Sequence, residues 1–332
     1  MSEQVPPPPP PEVLVLGPPG IFRTKNYEKL FDDRFRVLKP WQSPVPLFQF
    51  LQTHAQNTRA LVCGGGFKHL GSETLDRLPS LGVVVVTAAG LNHIDLQECR
   101  RRGIAVAYAS TIFSPDVADL AVGLLIDVLR RITAGNRFVK SGIWPVKSVE
   151  GSYPLATKLS HKRVGIVGLG SIGQEVAKRL EAFDCKISYH SRSKKSSVSY
   201  QFYSDVRELA ADCDILIICC ALNDQTNHLI TKEVLEALGK HGVIINIARG
   251  AIIDQKELVQ FLQEGRIAGA GLDVLENEPY VPPELCELNN VVLSPHFAVY
   301  TEESFRDLCE LVVGNLDAFF SNQPLLSPVL KE

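Results

Sequence analysis

A chain of 332 residues is long enough for two domains. Its 45 % hydrophobic and 21 % charged residues are ordinary for a globular enzyme, and a net charge of −3 gives no basic footprint for a nucleic-acid partner. No apolar stretch reaches the ~20 residues of a membrane span, so no membrane association is expected.

The chain opens MSEQVPPPPPPE. With neither a basic segment nor an apolar core this is no signal peptide, and its proline run suits neither helix nor central strand. Residues 1–12 are therefore expected to form a disordered tail, or alternatively a proline-rich ligand for a recognition domain. From Val13, strand-like segments alternate with helix-compatible ones. The strands are predicted at 13–17, 36–39, 60–64, 83–89 and 104–109, with polar helical stretches at 73–78 and 96–102 between them. Such alternation predicts a parallel sheet covered by helices.

A long, mostly apolar helix is predicted from Asp116 to Val139, with Ser114 able to cap it and Pro115 tolerated in its first turn. A less regular stretch, Lys140 to Ser160, follows it. The next strand runs straight into Gly168-Leu169-Gly170-Ser171-Ile172-Gly173 and then into a helical pattern. In this strand–glycine–helix context Gly168 permits the tight turn, Gly170 admits a pyrophosphate and Gly173 lets the helix pack against the strand. The helix N-terminus faces the phosphate charge. Further strands are expected at 186–191, 214–221, 242–248, 267–274 and 290–296, nearly all apolar as in sheets covered on both faces, and a final helix at 302–320. The pattern amounts to two doubly wound α/β domains, with about five strands before the long helix and six after it.

The strand after the fingerprint ends His190-Ser191-Arg192-Ser193-Lys194-Lys195. An NAD-binding fold places a carboxylate there for the ribose 2′-hydroxyl. Here hydroxyls and cations stand in its place. Ser191, Arg192, Ser193 and Lys194 suit the 2′-phosphate of NADP(H); a plain solvated basic turn is the alternative.

Three later segments each place a chemically capable residue just past an apolar strand: Arg249 in NIARG, Glu278 in DVLENEP, and His296 in LSPH. An arginine forks a carboxylate, a histidine protonates a carbonyl, and a carboxylate can hold that histidine protonated. Singly, each residue has an ordinary structural explanation; three in this order, downstream of a glycine fingerprint, point to a site. The eight cysteines lack C-x-x-C spacing, which predicts reduced thiols, a cytosolic protein and no metal.

With VADLAVGLL, VGIVGLGSIGQEVAKRLEAF, NIARG, GAGLDVLENEP and NVVLSPH in this order, the chain resembles the D-isomer-specific 2-hydroxyacid dehydrogenase family from about Val13 to Val329. Its basic FDCKISYHSRSKK segment looks most like the plant hydroxyphenylpyruvate, hydroxypyruvate and glyoxylate reductases that use NADPH. The resemblance implies a Rossmann-type nucleotide domain (114–299) inserted into a flavodoxin-like substrate domain (13–113 with 300–332), and an active site in the cleft between them. It implies that Arg249 binds the substrate carboxylate and carbonyl, that His296 is the acid/base and Glu278, rather than Glu276, its partner. Ile247 and Asp273 would lie at the cofactor, and the amides of Ala89, Gly90 and Leu91 at the substrate carboxylate. The implied activity is NADPH-dependent reduction of a small 2-oxo acid by a homodimer; Trp144, an aromatic in the irregular stretch, is expected at the dimer contact or else packed on its own domain. Two positions depart from the usual pattern: neutral Asn92 follows the substrate loop, and bulky Phe297 follows His296. A phosphoglycerate or D-lactate dehydrogenase, or a nicotinamide-sensing corepressor-like binding protein, is the alternative on the same scaffold.

Overall fold

The computed structural model describes residues 9–17, 25–64, 67–144 and 153–329. Most of the expected proline-rich tail, and residues 145–152 of the irregular stretch, lie outside the described residues. Two compact units are present: one runs to Phe113 and resumes at Tyr300, and the other is Ser114–Val299.

The first unit is built on five short parallel strands, β1 (Glu12–Leu16), β2 (Arg36–Leu38), β3 (Ala60–Cys63), β4 (Val83–Val86) and β5 (Ala105–Tyr108). Their order, β2-β1-β3-β4-β5, is the flavodoxin-like one. Helices α1 (Lys25–Asp32), α2 (Leu47–His54), α3 (Ser72–Leu75) and α4 (Leu96–Arg101) connect the strands. All of Val83–Val86 is buried, which is why this strand is four valines rather than an alternation. Strand β4 stops at Val86, short of the expected 83–89, so Ala89 falls in the loop beyond it.

The second unit opens with the long apolar helix, which is not continuous. Helix α5 (Ser114–Arg130) ends where Arg131 takes a left-handed φ of 56°, and α6 (Ile132–Lys140) starts afresh. Asp127, in the last turn of α5, accepts the N–H of Thr133 at 2.8 Å and also its hydroxyl, so a carboxylate from the first helix caps the second. Ser114 lies inside the helix and buried, rather than ahead of it as a cap.

Seven parallel strands follow: β6 (Arg163–Val167), β7 (Lys186–His190), β8 (Gln201–Tyr203), β9 (Ile215–Ile218), β10 (Val243–Asn246), β11 (Gly269–Leu272) and β12 (Val291–Leu293). The intervening helices are α7 (Ser171–Glu181), α8 (Val206–Ala211), α9 (Lys232–Leu238), α10 (Gln255–Gln263) and α11 (Pro283–Glu287). The sheet order is β12-β11-β10-β9-β6-β7-β8, one strand more than the apolar runs suggest. The extra strand, β8, is a three-residue edge strand with Gln201 exposed, so it carries no long apolar signature.

The chain winds outward in both directions from β6, which makes the β6/β9 gap the topological switch point. Register aligns the strand ends across the sheet: Val167 pairs with His190 on one side and Ile218 on the other, Ile218 with Asn246, Asn246 with Leu272, and Leu272 with Leu293. Everything just past those residues therefore shares one edge. Finally α12 (Glu302–Phe320), capped by the Thr301 hydroxyl on Ser304 N–H, returns the chain to the first unit. No helix among the described residues is long and apolar enough to cross a membrane.

Candidate active site

The glycine turn at the switch point is built as a cradle. Gly168 has φ 95°, and a Cβ there would lie 2.6 Å from the backbone nitrogen of Cys220. At Gly173 a Cβ would meet the Gly168 carbonyl at 2.3 Å, so α7 can approach β6 only without a side chain. Gly170, the N-cap of α7, differs: a Cβ would meet nothing within 4 Å. That open space lies at the N-terminus of an 11-residue helix, where Ser171 and Ile172 open the first turn. It fits a phosphate group.

The turn borders a cavity of about 380 Å³ lined by Gly168, Leu169, Gly170, the β7 end and the segment after β9. From β7 come His190, Ser191, Arg192, Ser193 and Lys195. Lys194, expected among the phosphate ligands, does not line it, and its neighbour does. The Lys195 N–H donates to the buried Tyr189 hydroxyl at 2.8 Å, which turns that residue inward. The Ser191 hydroxyl donates to the Ser193 carbonyl at 2.7 Å and fixes the bend. Among the described residues, no carboxylate lines the cavity. The opposite wall was not foreseen: Asn223, Gln225 and Thr226, past β9. The Asn223 side-chain oxygen accepts the N–H groups of Gln225 and Thr226, and the Thr226 hydroxyl donates to the Ala221 carbonyl at 2.7 Å. Position past a buried strand on the ligand edge is the signal that could have found this wall.

Along the same edge, Arg249 follows β10. The fully buried Asn246 sets its loop: the side-chain oxygen accepts the Ala248 N–H at 3.0 Å and the amide donates to the Arg249 carbonyl at 3.0 Å. Ile247 is buried between them. The Arg249 guanidinium is half-buried and donates to the Ala248 carbonyl at 2.6 Å. Burial pulls its pKa below the ordinary guanidinium value, and the charge of Glu278 opposes that pull. Arginine remains charged, so a cation is held there with donors to spare.

His296 follows β12 in the left-handed conformation, φ 57°, uncommon for a residue with a Cβ. Asp273 holds it there. The Asp273 carboxylate, 1 % exposed, accepts the N–H groups of Phe297 at 2.9 Å and Ala298 at 3.2 Å, and its carbonyl accepts the His296 N–H at 2.8 Å. Asp273, expected at the cofactor, thus also positions the histidine loop. Glu278 is fixed at both oxygens: Oε1 accepts the Leu275 N–H at 3.0 Å and Oε2 lies 2.7 Å from His296 Nδ1. A carboxylate can only accept, so Nδ1 carries a proton and Nε2 is the nitrogen left to act. Glu276 is engaged elsewhere, 2.9 Å from His228 Nε2. The Arg249 and Glu278 loops touch directly, for a Cβ on Gly250 would lie 1.9 Å from the Leu275 carbonyl carbon.

In the first unit, Ala89 is exposed and Gly90 and Leu91 partly so, just past β4. Their N–H groups donate to nothing among the described residues.

A glycine cradle at a switch point, with a half-buried cation and a histidine–carboxylate pair on the same edge, defines a dehydrogenase of the dinucleotide-binding class. Residues 122–298 match the family model for D-isomer specific 2-hydroxyacid dehydrogenase, NAD binding domain. The chain is 52 % identical to a glyoxylate/hydroxypyruvate reductase of Arabidopsis thaliana, over 96 % of each chain. It is 47 % identical to a hydroxyphenylpyruvate reductase of Plectranthus scutellarioides, over 91 % of this chain and 95 % of that one. Among solved structures it resembles an NADPH-dependent glyoxylate/hydroxypyruvate reductase of Sinorhizobium meliloti in complex with NADP and malonate, with a TM-score of 0.86, 33 % identity and 96 % of each chain covered. The chain belongs to the D-isomer specific 2-hydroxyacid dehydrogenase family.

Proposed function

We propose that this chain reduces small 2-oxo acids of the glyoxylate, hydroxypyruvate and 4-hydroxyphenylpyruvate type to D-2-hydroxy acids, with NADPH. The observation that carries the reading is one sheet edge holding the Arg249 guanidinium, the Glu278–His296 pair at 2.7 Å and a cavity lined by the cations Arg192 and Lys195 and, among the described residues, by no carboxylate. The names of the relatives support the same substrates.

Bound NADPH supplies the hydride that reaches the carbonyl carbon. The rest is the work of this chain. Arg192, Ser193 and Lys195 would hold the 2′-phosphate on the bend that Ser191 fixes, and the α7 N-terminus would hold the pyrophosphate. Arg249 anchors the substrate carboxylate as a charge-assisted fork. With Nδ1–H donated to Glu278, protonated His296 delivers its Nε2 proton to the carbonyl oxygen. The product leaves His296 neutral and still tied through Nδ1. Such proton transfer typically contributes ~10²–10⁴ in rate.

The exposed Ile132, Val139, Ile143 and Trp144 give α6 and the four residues past it an apolar surface, and α6 has no buried residue of its own. On that ground the protein is assigned as a homodimer in contact through α6 and residues 141–144, which sedimentation tests. All eight cysteines are free thiols, which suits the reducing cytosol; subcellular fractionation checks that placement.

The deciding experiment is a substrate panel followed by NADPH absorbance. Steady turnover with glyoxylate, hydroxypyruvate or hydroxyphenylpyruvate is the expected result. Tight NADPH binding without turnover would instead mark a nicotinamide sensor.

A further inference from the structure

The second unit holds two histidine–glutamate pairs, and the mechanism above uses one. The other, His228–Glu276, stands between the cavity and the acid/base loop. On the cavity side, His228 lies within the wall segment 219–229, between the lining residues Thr226 and Leu229, and the Asn223 and Thr226 hydrogen bonds stiffen that segment. His228 is held at φ 48°, and its N–H donates to the Ala251 carbonyl at 2.8 Å, two residues past Arg249. A residue with a Cβ persists in that conformation where its surroundings over-determine it. Its Nε2 then donates to Glu276 Oε1 at 2.9 Å.

On the other side, Glu276 is held a second time, its N–H donating to the Gln255 side-chain oxygen at 3.0 Å. The preceding residue, Leu275, gives its N–H to Glu278 Oε1, and Glu278 Oε2 meets His296. The Leu275–Glu276 peptide also bears on Gly250, next to Arg249, with no room for a methyl group. A displacement of the cavity wall therefore has one short route to both the anchor and the proton donor, and His228 is its first link.

We propose that His228 is a positioning residue: through Glu276 it makes the setting of Arg249 and the Glu278–His296 pair depend on what fills the cavity. The proposal rests on the reading of that cavity as the NADPH site. It implies that cofactor and substrate bind cooperatively, and that the cooperativity passes through one hydrogen bond between side chains that touch neither ligand.

The test uses the full chain and two non-reacting probes, NADP⁺ and the 2-oxo acid mimic oxamate, titrated by calorimetry. In the wild type, saturating NADP⁺ tightens oxamate binding by about 5–150-fold, the range usual for coupled sites. His228→Ala abolishes most of that gain while leaving the Kd for NADP⁺ within about two-fold, well under a tenfold change or 1.4 kcal/mol. His228→Gln, which keeps an N–H donor, restores most of the coupling. Glu276→Ala removes the acceptor and gives the same loss, and the double variant adds no more; it also serves if His228→Ala does not fold. In turnover, His228→Ala lowers kcat with the KM for NADPH unchanged. Full coupling in folded His228→Ala or Glu276→Ala overturns the proposal, as does a loss that His228→Gln fails to rescue. A wild-type chain that binds NADP⁺ with no effect on oxamate overturns this proposal alone. One that binds no NADP⁺ overturns the cofactor reading and this with it.

Discussion

A carboxylate beside the adenosine ribose would repel a 2′-phosphate, and among the described residues none lines the cavity past β7. What discriminates is which cations reach it. Arg192 and Lys195 line the cavity and Lys194 does not, so residues adjacent in sequence should behave differently. Arg192→Ala is expected to raise the KM for NADPH by roughly tenfold or more, since a charge-assisted bond is worth about 1.5–3 kcal/mol, and to leave the KM for NADH nearly unchanged. Lys194→Ala should move neither. Equal effects of Arg192→Ala on both cofactors would remove the 2′-phosphate from this site. At the acid/base pair, His296→Ala should lower kcat by about 10²–10⁴ with NADPH affinity retained, measured by fluorescence titration. Cys219 and Cys220 also line the cavity, yet burial pushes the Cys220 thiol up to about 11 and that of Cys219 higher still. The reactive thiolate of each is then scarce at neutral pH. Alkylation followed by peptide mass spectrometry should find the exposed Cys286 modified first, with both cavity cysteines intact.

Among elements, the contact between the Arg249 loop and the Leu275–Glu276 peptide is the tightest constraint on the site. Gly250→Ala forces a methyl group into a backbone that cannot yield, and overpacking of this kind costs about 1–3 kcal/mol. Because the two displaced loops carry the anchor and the acid/base pair, kcat/KM should fall far more than thermal stability; a variant with normal kinetics would show that the loops move independently. Much of this edge is legible in the sequence, because fully buried strands read as apolar runs and the residues just past them stand out. Arg249, Glu278 and His296 are visible on that ground. Asn246, which pins the Arg249 loop, is visible only as the end of a strand, and the His228–Glu276 bond joins residues 48 apart with no pattern between them. The break at Arg131 is hidden for a different reason. The apolar period runs on through it, while the cap that starts α6 comes from Asp127, on the far side of the break.

For the whole molecule, the least legible feature is how a discontinuous unit closes. The glycine fingerprint halfway along the chain implies a nucleotide domain inserted into or appended to another, and the family resemblance implies the insertion, but neither says what joins the two outer segments. Strand β5 is an edge of the first sheet, and an open edge is a hazard for aggregation. The chain's return covers it: the Tyr108 N–H donates to the Ser327 carbonyl at 3.1 Å and the Val329 N–H to the Val106 carbonyl at 2.8 Å. One residue of α12 organises this cover. Asn315, fully buried, accepts the N–H groups of Leu326 and Ser327 through its side-chain oxygen and donates to the Leu311 carbonyl and the Ser327 hydroxyl, which in turn donates to the Tyr108 carbonyl. Asn315→Ala removes four hydrogen bonds, three of them to half-buried partners and one to the N–H of exposed Leu326, at a net cost of about 1–3 kcal/mol. For a unit of this size that lowers the midpoint of its thermal unfolding by roughly 2–12 °C. The cavity residues all belong to the other unit, so NADPH affinity at low temperature should be unchanged while aggregation on warming increases. Calorimetric scans and light scattering, run beside an NADPH titration, measure all three. A variant with wild-type melting would mean that the cover holds without Asn315, and one with weakened NADPH binding would mean that the closure of the first unit reaches the cavity of the second.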